Sequence, residues 1–571
     1  MILQALKDYY DRKVADPDGG IAPEGFEYKE IPFVIVVDEQ GDLVQIEDSR
    51  EQDGKQLRAK AFLVPQAEKR ASGVKANLLW DNAEYIFGLS LHSKPERVAQ
   101  MHNDFVNRIK MLGVEHDIGV NAVLLFLSSG LLLSALEQSK YAAEIKEANP
   151  FMAFRLNGDN ILVCERKEVV AKIKSVPIIG NQGVCLISGE TEVLANLQPA
   201  IKGVRGANTM GGNLVSFNLD AFNSFGKTQG ANAPIGAKSA FAYTTALNYL
   251  LRKDSLQKIQ VGDASTVFWS EKKSHFEDDF SSLFDGSHKD DPDHLTNKVK
   301  ALFKSVEMGV FPVEDNKNHF FVLGLSPNAA RISVRFWQVA TIAEFSQRIV
   351  RHFQDLELVH APHQHDYLPL WELLRATALL GKSENIMPNL SGEWMSSILA
   401  GLPYPETLFQ AVLRRIHAER TVSYPRAMIL KGCLNRKARF KNQTQEEVTV
   451  ALDKENKKPG YRLGRLFATL EKIQEEANPG INAPIRNRYY SSASSTPASV
   501  IPILMRLKNH HLAKLEKGRT IFFERLLGEI LSEVNTFPSQ LNLQDQGLFA
   551  IGYYHQRQAF FTKSEYSNQE E

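Results

Sequence analysis

Strand signals stop well before the end of this chain, and only helical patterns follow them. Before about Tyr367, short β-rich runs are bounded by turn residues, as in Pro32–Asp48 around its Asp-Glu-Gln-Gly-Asp turn. Asn157-Gly158 and Pro327-Asn328 mark two further predicted hairpins. Beyond Tyr367, apolar residues recur at helical spacing. We therefore expect an α+β fold, with a mixed α/β amino-terminal domain that contains hairpins and a carboxy-terminal helical bundle.

The same patterns predict three domains in the 571 residues. They are an α+β domain over residues 1–366, a basic helical connector over 367–445 and a four-helix bundle over 446–571. The polar run Lys441–Gly460 ends in Pro-Gly and is the predicted linker. A second polar and acidic run, Ser270–His294, is predicted to be a surface insertion.

Composition excludes several classes of protein. The formal net charge is zero, so any nucleic-acid binding must come from local basic clusters. The three scattered cysteines form no Cys-x-x-Cys pair, which favours a reducing cytoplasm. The start MILQALKDYYDRK predicts an amphipathic helix rather than a signal peptide. The uncharged run Ile118–Leu136 approaches the ~20 residues of a membrane span, but its polar residues favour a buried core helix.

The stretch GANAPIGAKSAFAY, Gly230–Tyr243, resembles a phosphate-binding P-loop but has the wrong spacing. A P-loop needs Gly, four residues and then Gly-Lys-Ser/Thr, whereas here Gly236 is one residue too far and Ala237 precedes Lys238. The spacing argues against nucleotide hydrolysis and leaves a structural loop or a nucleic-acid contact open. A helix that begins after the glycines would add its first N–H groups and its dipole to the affinity for an anion.

Three basic clusters are candidates for phosphate contacts, and for each a solvated surface remains the alternative. The third also contains Tyr489 and Tyr490, which could stack on bases. Their cations are Lys55, Arg58, Lys60, Lys69, Arg70 and Lys75; Arg414, Arg415, Arg420, Arg426, Lys431, Arg436, Lys437, Arg439 and Lys441; and Arg486, Arg488, Arg506, Lys508, His510, His511, Lys514, Lys517 and Arg519.

Two groups of residues could bind metal, but neither pattern favours it. Pro362 breaks any helical arrangement of His360, His363, His365 and Asp366. Carboxylates of a two-metal nuclease converge from rigid elements, whereas Asp278, Asp279, Asp290, Asp291 and Asp293 lie in the predicted surface insertion. We expect no metal, no cofactor and no catalytic residue.

Several long phrases in order make the chain resemble the large subunit of the type I-C CRISPR Cascade, an RNA-guided DNA surveillance complex of bacteria. They include QIEDSREQDGKQLRAKAFLVPQAEKR, SFNLDAFNSFGKTQGANAPIGAKSAFAYTTALNYLL, FVLGLSPNAARISVRFW, RNRYYSSASSTPASVIPILMRLKNHHLAKL and DQGLFAIGYYHQRQAFF. The resemblance runs from Met1 to about Phe561.

The resemblance implies a non-enzymatic subunit that reads the protospacer-adjacent motif in double-stranded DNA and helps to part the strands for the guide RNA. It also implies that the subunit supports the displaced strand, helps to recruit a helicase-nuclease, contacts the backbone, guide-end and small subunits, and has a bundle similar to the small subunit. A structural scaffold that binds only guide RNA and neighbouring subunits is the alternative, and a metal-dependent nuclease is a third.

Residue chemistry, rather than a family motif, gives the candidate site residues. The amides of Gln229, Asn232 and Asn77 are the candidate motif readers or wedge, because amides pair with base edges. Lys55, Arg58, Lys60, Lys75, Lys227, Lys238, Arg414, Arg415 and Lys431 are the candidate phosphate contacts. Arg486, Arg488, Lys508, His511 and Lys514 are the candidate contacts to the displaced strand.

Overall fold

A computed structural model describes residues 1–54, 56–68, 70, 73–176, 180–285, 294–308 and 317–561. The chain divides into two compact units. The smaller unit contains residues 6–199 and 217–246, and the larger unit contains residues 1–5, 200–216 and 247–571. This division groups the residues differently from the predicted domains 1–366, 367–445 and 446–571, which remain predictions.

The smaller unit is mixed α/β, as the fold class predicts. Its strands are β1 (Phe26–Glu30), β2 (Phe33–Val37), β3 (Leu43–Asp48), β4 (Arg50–Asp53), β5 (Gln56–Ala59), β6 (Ala61–Pro65), β7 (Trp80–Asn82), β8 (Phe151–Leu156), β9 (Gln182–Val184) and β10 (Thr191–Val193). Its helices are α2 (Ala83–Phe87), α3 (Pro95–Met111), α4 (Ile118–Ser128), α5 (Leu132–Glu137), α6 (Ala142–Ala148) and α7 (Lys167–Ser175). Helices α1 (Ile2–Ala15) and α8 (Ala237–Leu251) contain residues of both units.

The core of the smaller unit lies on a four-stranded sheet with the order β3-β2-β8-β7. Every residue of β2, FVIVV, is buried, as expected of a strand with both faces covered. Strand β2 pairs antiparallel with β3, which confirms the first predicted hairpin. It pairs parallel with β8, and the remaining strands form the two-stranded sheets β1-β6, β4-β5 and β9-β10.

The larger unit begins with a second four-stranded sheet and continues as helices. Its strands β11 (Lys258–Val261), β12 (Ala264–Ser270), β13 (His319–Asn328) and β14 (Arg331–Thr341) are antiparallel and adjacent in chain order. Its helices are α9 (Phe276–Asp285), α10 (His294–Met308), α11 (Ile342–Leu356), α12 (Leu370–Arg375), α13 (Leu390–Ala400), α14 (Glu406–Glu419), α15 (Tyr424–Phe440), α16 (Pro459–Ala477), α17 (Ile485–Ser495), α18 (Pro497–Leu512), α19 (Lys517–Leu531) and α20 (Leu543–Ala559).

The pairing of β13 with β14 confirms the hairpin predicted at Pro327-Asn328. The hairpin predicted at Asn157-Gly158 is wrong, although Gly158 does turn the chain with a φ of +91°. The residues after it form a 3₁₀ turn, Val163–Glu165, because the Glu165 carboxylate accepts the Leu162 N–H at 3.0 Å. Strand β8 instead pairs with β2 and β7.

The predicted surface insertion is wrong over the residues that the structure describes. Residues 276–285 form α9, and Phe276, Phe280 and Phe284 pack in the core of the larger unit. Their spacing of four places them on one helical face. The acidic residues between them made the whole run look polar, so the sequence did not predict a buried helix. Residues 286–293 lie outside the described part of the chain.

The amino-terminal segment and the uncharged run Ile118–Leu136 both form helices. The amino-terminal helix is confirmed as α1. The uncharged run Ile118–Leu136 forms α4 and the start of α5 with a break at Gly130 (φ +66°), and Val120, Val123 and Phe126 are buried. Among the described residues, no helix combines the length and the apolar character needed to cross a membrane.

The carboxy-terminal region contains five helices in its described residues, α16 to α20, rather than the predicted four. The additional helix is α17, in the stretch IRNRYYSSASS. The predicted linker before α16 is anchored to α15, since the Asn435 side chain donates to the Val448 carbonyl at 3.0 Å and accepts the Val448 N–H at 2.7 Å. Its residues belong to the same compact unit as the helices on either side.

Candidate nucleic-acid interface

A tight turn precedes the P-loop-like stretch in the smaller unit. The Lys227 N–H donates to the Ser224 carbonyl at 3.0 Å, and φ is +53° at Phe225 and +70° at Gly226. Positive φ at both central residues is the property of a type I′ turn. Phe225, Lys227 and Gln229 are all exposed, so the turn presents an aromatic ring, a cation and an amide to solvent.

Asn232 holds this turn in place. Its side-chain oxygen accepts the Ser224 N–H at 2.9 Å, and its Nδ2 donates to the carbonyls of Lys227 (3.2 Å) and Gln229 (3.1 Å). Nδ2 also donates to the side-chain oxygen of Asn223 at 3.2 Å. These contacts use the amide inside the loop, which corrects the assignment of Asn232 as a motif reader. Gln229 is exposed and remains a candidate for that role.

The first turn of α8 already has an anionic partner, Glu192. The Glu192 carboxylate accepts the Ser239 hydroxyl at 2.9 Å and the Ser188 hydroxyl at 2.6 Å. Burial alone would raise the pKa of Glu192, but these hydrogen bonds keep it below its ordinary value. A Cβ on Gly236 would lie 1.9 Å from a Glu192 carboxylate oxygen, so the close approach requires glycine.

A carboxylate of the chain therefore stands where a P-loop would hold phosphate. This corrects the prediction that the N–H groups at the start of this helix add to the affinity for an external anion. Lys238, in the same turn, is exposed and makes no ion pair with any described residue. Its ammonium remains a candidate phosphate contact, whereas the helix terminus does not.

The basic loop between β6 and β7 is fixed from inside by Asp81. Asp81 is buried and accepts the Asn77 N–H at 2.8 Å and the Arg70 guanidinium. The Asn77 side-chain oxygen in turn accepts the Glu68 N–H at 3.0 Å. Because Asn77 is only 3% exposed, its amide holds the loop and cannot read a base, which corrects its assignment.

Two lysines of this region point to solvent, whereas Lys69 lies outside the described residues. Lys60 and Lys75 are exposed, and neither forms an ion pair within the described ranges. Arg58 pairs with Glu30 at 2.9 Å, but both side chains are about half exposed, and such a pair is weak in water. Lys55 lies outside the described residues.

One cleft in the smaller unit lies between the basic loop and the residues that follow the turn. It has a volume of about 1410 Å³ and is lined by Lys75 of the basic loop and by Gly230 beside the turn. Lys174 and the ion pair Arg108–Glu68 also line it.

The cations of α14 and α15 are mostly paired inside the larger unit. Arg436 donates to the Asp355 carboxylate at 2.7 Å, and Arg439 also donates to it. Lys437 pairs with Glu406 at 3.1 Å. Asp355 lies in α11 and Glu406 in α14. A count of charges over Arg414–Lys441 alone therefore leaves these acids out.

Lys431 belongs to the same buried network. Its ammonium donates to the Asp355 carbonyl at 3.2 Å, and burial lowers the pKa of Lys431. At 3% exposure it cannot contact phosphate, which corrects its assignment. Arg415 is half-buried and lies 3.7 Å from Glu419. Arg414 is exposed, with a single contact at 3.5 Å to the sulfur of Met387.

The candidate contacts on the terminal helices differ in availability. Lys508 pairs with Glu524 at 2.9 Å, and Lys514 donates to Asn478 at 2.8 Å. Arg486 lies 3.6 Å from the buried Glu471. Arg488 is exposed and has no ion pair in the part of the chain that the structure describes.

Two aromatic or titratable side chains of this region are less available than the sequence suggests. Tyr490 is 1% exposed and packs on Phe467 and Phe549, so it cannot stack on a base. His511 is half-buried, and burial together with the neighbouring Lys514 lowers its pKa, so the imidazole is neutral near pH 7.

The two candidate metal groups do not form a site in the described residues. No group of three or more His, Cys, Asp or Glu side chains there could hold a metal. His360 lies 3.2 Å from Asp366, and Asp279 pairs with Lys298. Asp290, Asp291 and Asp293 lie outside the described residues.

Sequence reasoning missed Phe225 and Glu192. Phe225 lies between Ser224 and Gly226 in a polar, turn-forming stretch, and an aromatic residue in such a turn was the available signal. Nothing in the sequence pairs Glu192 with Ser239, because the contact forms only when the residues around β10 pack beside α8.

A search of curated proteins finds no match. The family model described as CRISPR-associated protein (Cas_Csd1) matches residues 6–561. Because the match spans nearly the whole chain, the chain belongs to the Cas_Csd1 family of CRISPR-associated proteins, the large subunits of Cascade.

Proposed function

We propose that this chain is the non-catalytic subunit that reads the protospacer-adjacent motif in double-stranded DNA and helps the guide RNA to open the duplex. The observation that supports the proposal most is the clamped turn Ser224–Lys227, which together with Gln229 presents exposed polar and aromatic groups to solvent. In RNA-guided recognition the protein reads only a short duplex motif, while base pairing reads the rest of the target. A small, rigid reading element on a protein of zero formal net charge fits that division.

Within this proposal, Gln229 reads the motif. Its amide carries both a donor and an acceptor, which can pair in a bidentate manner with an adenine edge. Lys227 and Lys238 contact the adjacent phosphates, and Lys60 and Lys75 contact the duplex further along, with Lys55 and Arg58 beside them. Phosphate contacts position the protein, while the amide contact supplies specificity.

The larger unit supports the displaced strand in this proposal. Arg488 is its best candidate because it is exposed and has no ion-pair partner among the described residues. Arg414 is exposed in the same way and contacts a DNA phosphate. Four other candidates would have to give up an internal contact before they could bind DNA: Arg415, Arg486, Lys508 and Lys514. His511 would bind without a positive charge. The proposed partners are target DNA, the guide-RNA ribonucleoprotein with its backbone, guide-end and small subunits, and the helicase-nuclease.

The test uses the assembled guide-RNA complex with Gln229→Ala and, as matched control, Gln40→Ala, an exposed glutamine in the turn between β2 and β3. Affinity is measured for targets that differ only in the adjacent motif. We expect Gln229→Ala to reduce discrimination by about 1–3 kcal/mol at one position, the value of a good bidentate contact, and Gln40→Ala to leave it unchanged. Equal discrimination by both variants would reject Gln229 as the reader.

Lys238→Ala gives the complementary result. A phosphate contact carries no sequence information, so all targets should weaken to a similar extent. Selective loss on one motif would contradict the phosphate role. If the wild-type complex itself showed no motif preference and no crosslink from this chain to target duplex, a scaffold that binds only guide RNA would replace the proposal. Metal-dependent cutting of DNA by the purified chain would contradict its non-catalytic part.

A further inference from the structure

Phe225 occupies a position that both its side chain and its backbone disfavour. Its ring is 98% exposed, although phenylalanine is among the residues most often buried. Its φ is +53°, in the left-handed region that bulky residues rarely adopt. Asn, Asp or Gly would adopt this turn conformation more readily than Phe. The ring is therefore the property of Phe225 that requires an explanation.

The exposure of Phe225 comes from a fixed loop. The backbone bond from Lys227 to Ser224 closes the turn, and Asn232 contacts both sides of it through Ser224 and Lys227. Gly230 anchors the following residues, since its N–H donates to the Asn196 carbonyl at 3.2 Å. The ring is thus held in solvent by hydrogen bonds that its own side chain does not share.

The neighbours of Phe225 indicate what the ring meets. Lys227 is exposed and has no ion pair in the described ranges, and Gln229 adds an exposed amide. An aromatic face combined with a cation and an amide is the chemistry that recognises a nucleotide, because the ring stacks on the base while the cation contacts phosphate. A purely apolar protein contact would not need the lysine.

We infer that Phe225 stacks on a nucleobase that is exposed when the duplex opens beside the motif. This inference rests on the proposed function and adds the residue and the type of contact that hold the opened end. Apolar side chains that enter between base steps unstack them and stabilise a deformed duplex. Stacking by Phe225 would make opening easier without reading sequence, so its effect should depend on whether the target is already open.

The experiment compares Phe225→Ala, Phe225→Asn and Phe225→Tyr in the assembled complex. Asn suits the turn but lacks the ring, and Tyr keeps the ring. The matched control is Phe440→Ala, which removes another phenylalanine that is 69% exposed. The rate of guide pairing is measured on an intact duplex and on the same target with mismatched base pairs beside the motif, where 2-aminopurine reports stacking.

On the intact duplex we expect Phe225→Ala and Phe225→Asn to slow pairing by about 5- to 150-fold, the range that one base–aromatic stack represents. Phe225→Tyr and Phe440→Ala should match the wild type, and the mismatched target should restore both slow variants. Unchanged rates on the intact duplex, equal loss on both targets, or failure of the variants to assemble would each overturn the inference. If the wild-type complex itself did not discriminate between motifs, the proposed function would be rejected instead.

Discussion

Four lysines of the smaller unit should account for a measurable part of the salt dependence of DNA binding. Lys60, Lys75, Lys227 and Lys238 are exposed, and none forms an ion pair with a described residue. Each phosphate neutralised in B-DNA contributes about 0.9 to the slope of log affinity against log salt. Changing all four to Ala should therefore lower the magnitude of the slope by about 3.6. Between 50 and 200 mM salt, the wild-type complex should lose about 150-fold more affinity than the variant.

The assay is equilibrium binding of the assembled complex to one duplex target over that range of salt. The control variant changes four lysines that already pair with acids, Lys7, Lys146, Lys437 and Lys458, whose ammonium groups lie 2.7, 3.2, 3.1 and 2.7 Å from their partners. Its slope should change much less, although both variants lose the same net charge. Equal slopes for the two variants would refute the assignment of the four lysines to phosphate.

Three further predictions concern stability and are measured by chemical unfolding of the purified chain. Asp355→Ala leaves the buried Arg436 without its carboxylate, so the free energy of unfolding should fall by about 3–5 kcal/mol, while Glu406→Ala, at an exposed pair with Lys437, should cost less than about 1 kcal/mol. Equal losses would contradict the buried network. Gly236→Ala should cost about 1–3 kcal/mol, since its Cβ would overlap Glu192, and a neutral result would show that the carboxylate can move away. Burial lowers the pKa of His555 to about 3, so the unfolded state binds the proton first, and stability should fall by about 1.4 kcal/mol per pH unit between about pH 6.5 and about pH 3. His555→Gln should flatten this decline, and an unchanged pH profile would contradict it.

The sequence predicted the parts of the fold that depend on local patterns. The turns Asp38–Asp42 and Pro327–Asn328 separate alternating apolar runs, and both hairpins form. The late loss of strand signals is also borne out, because the last strand in the described chain ends at Thr341. The Asn157-Gly158 hairpin failed because long-range pairing of β8 with β2 decided the role of that strand.

For the candidate site, the sequence supplied the residue types but not their availability. A run of cations such as Arg426–Lys441 looks like a phosphate-binding surface until the acids of other helices are included. Asn77, Asn232 and Lys431 are chemically suited to nucleic acid, yet each is used inside the protein. Arg488 and Gln229 have the same chemistry and remain exposed. Exposure and pairing depend on which elements pack together, and that information is distributed over the whole chain.

The sequence by itself determined the family, the succession of sheets and helices, and the glycine-rich stretch as a place where the backbone could approach another group. Those features depend on the order of residues and on local φ/ψ preferences. Only the tertiary structure decided what the stretch approaches. The group at Gly236 is the carboxylate of Glu192, because hydrogen bonds from Ser188 and Ser239 stabilise that charge at the start of α8. The turn before it remains exposed, because Asn232 holds the backbone while nothing in the described protein covers Phe225.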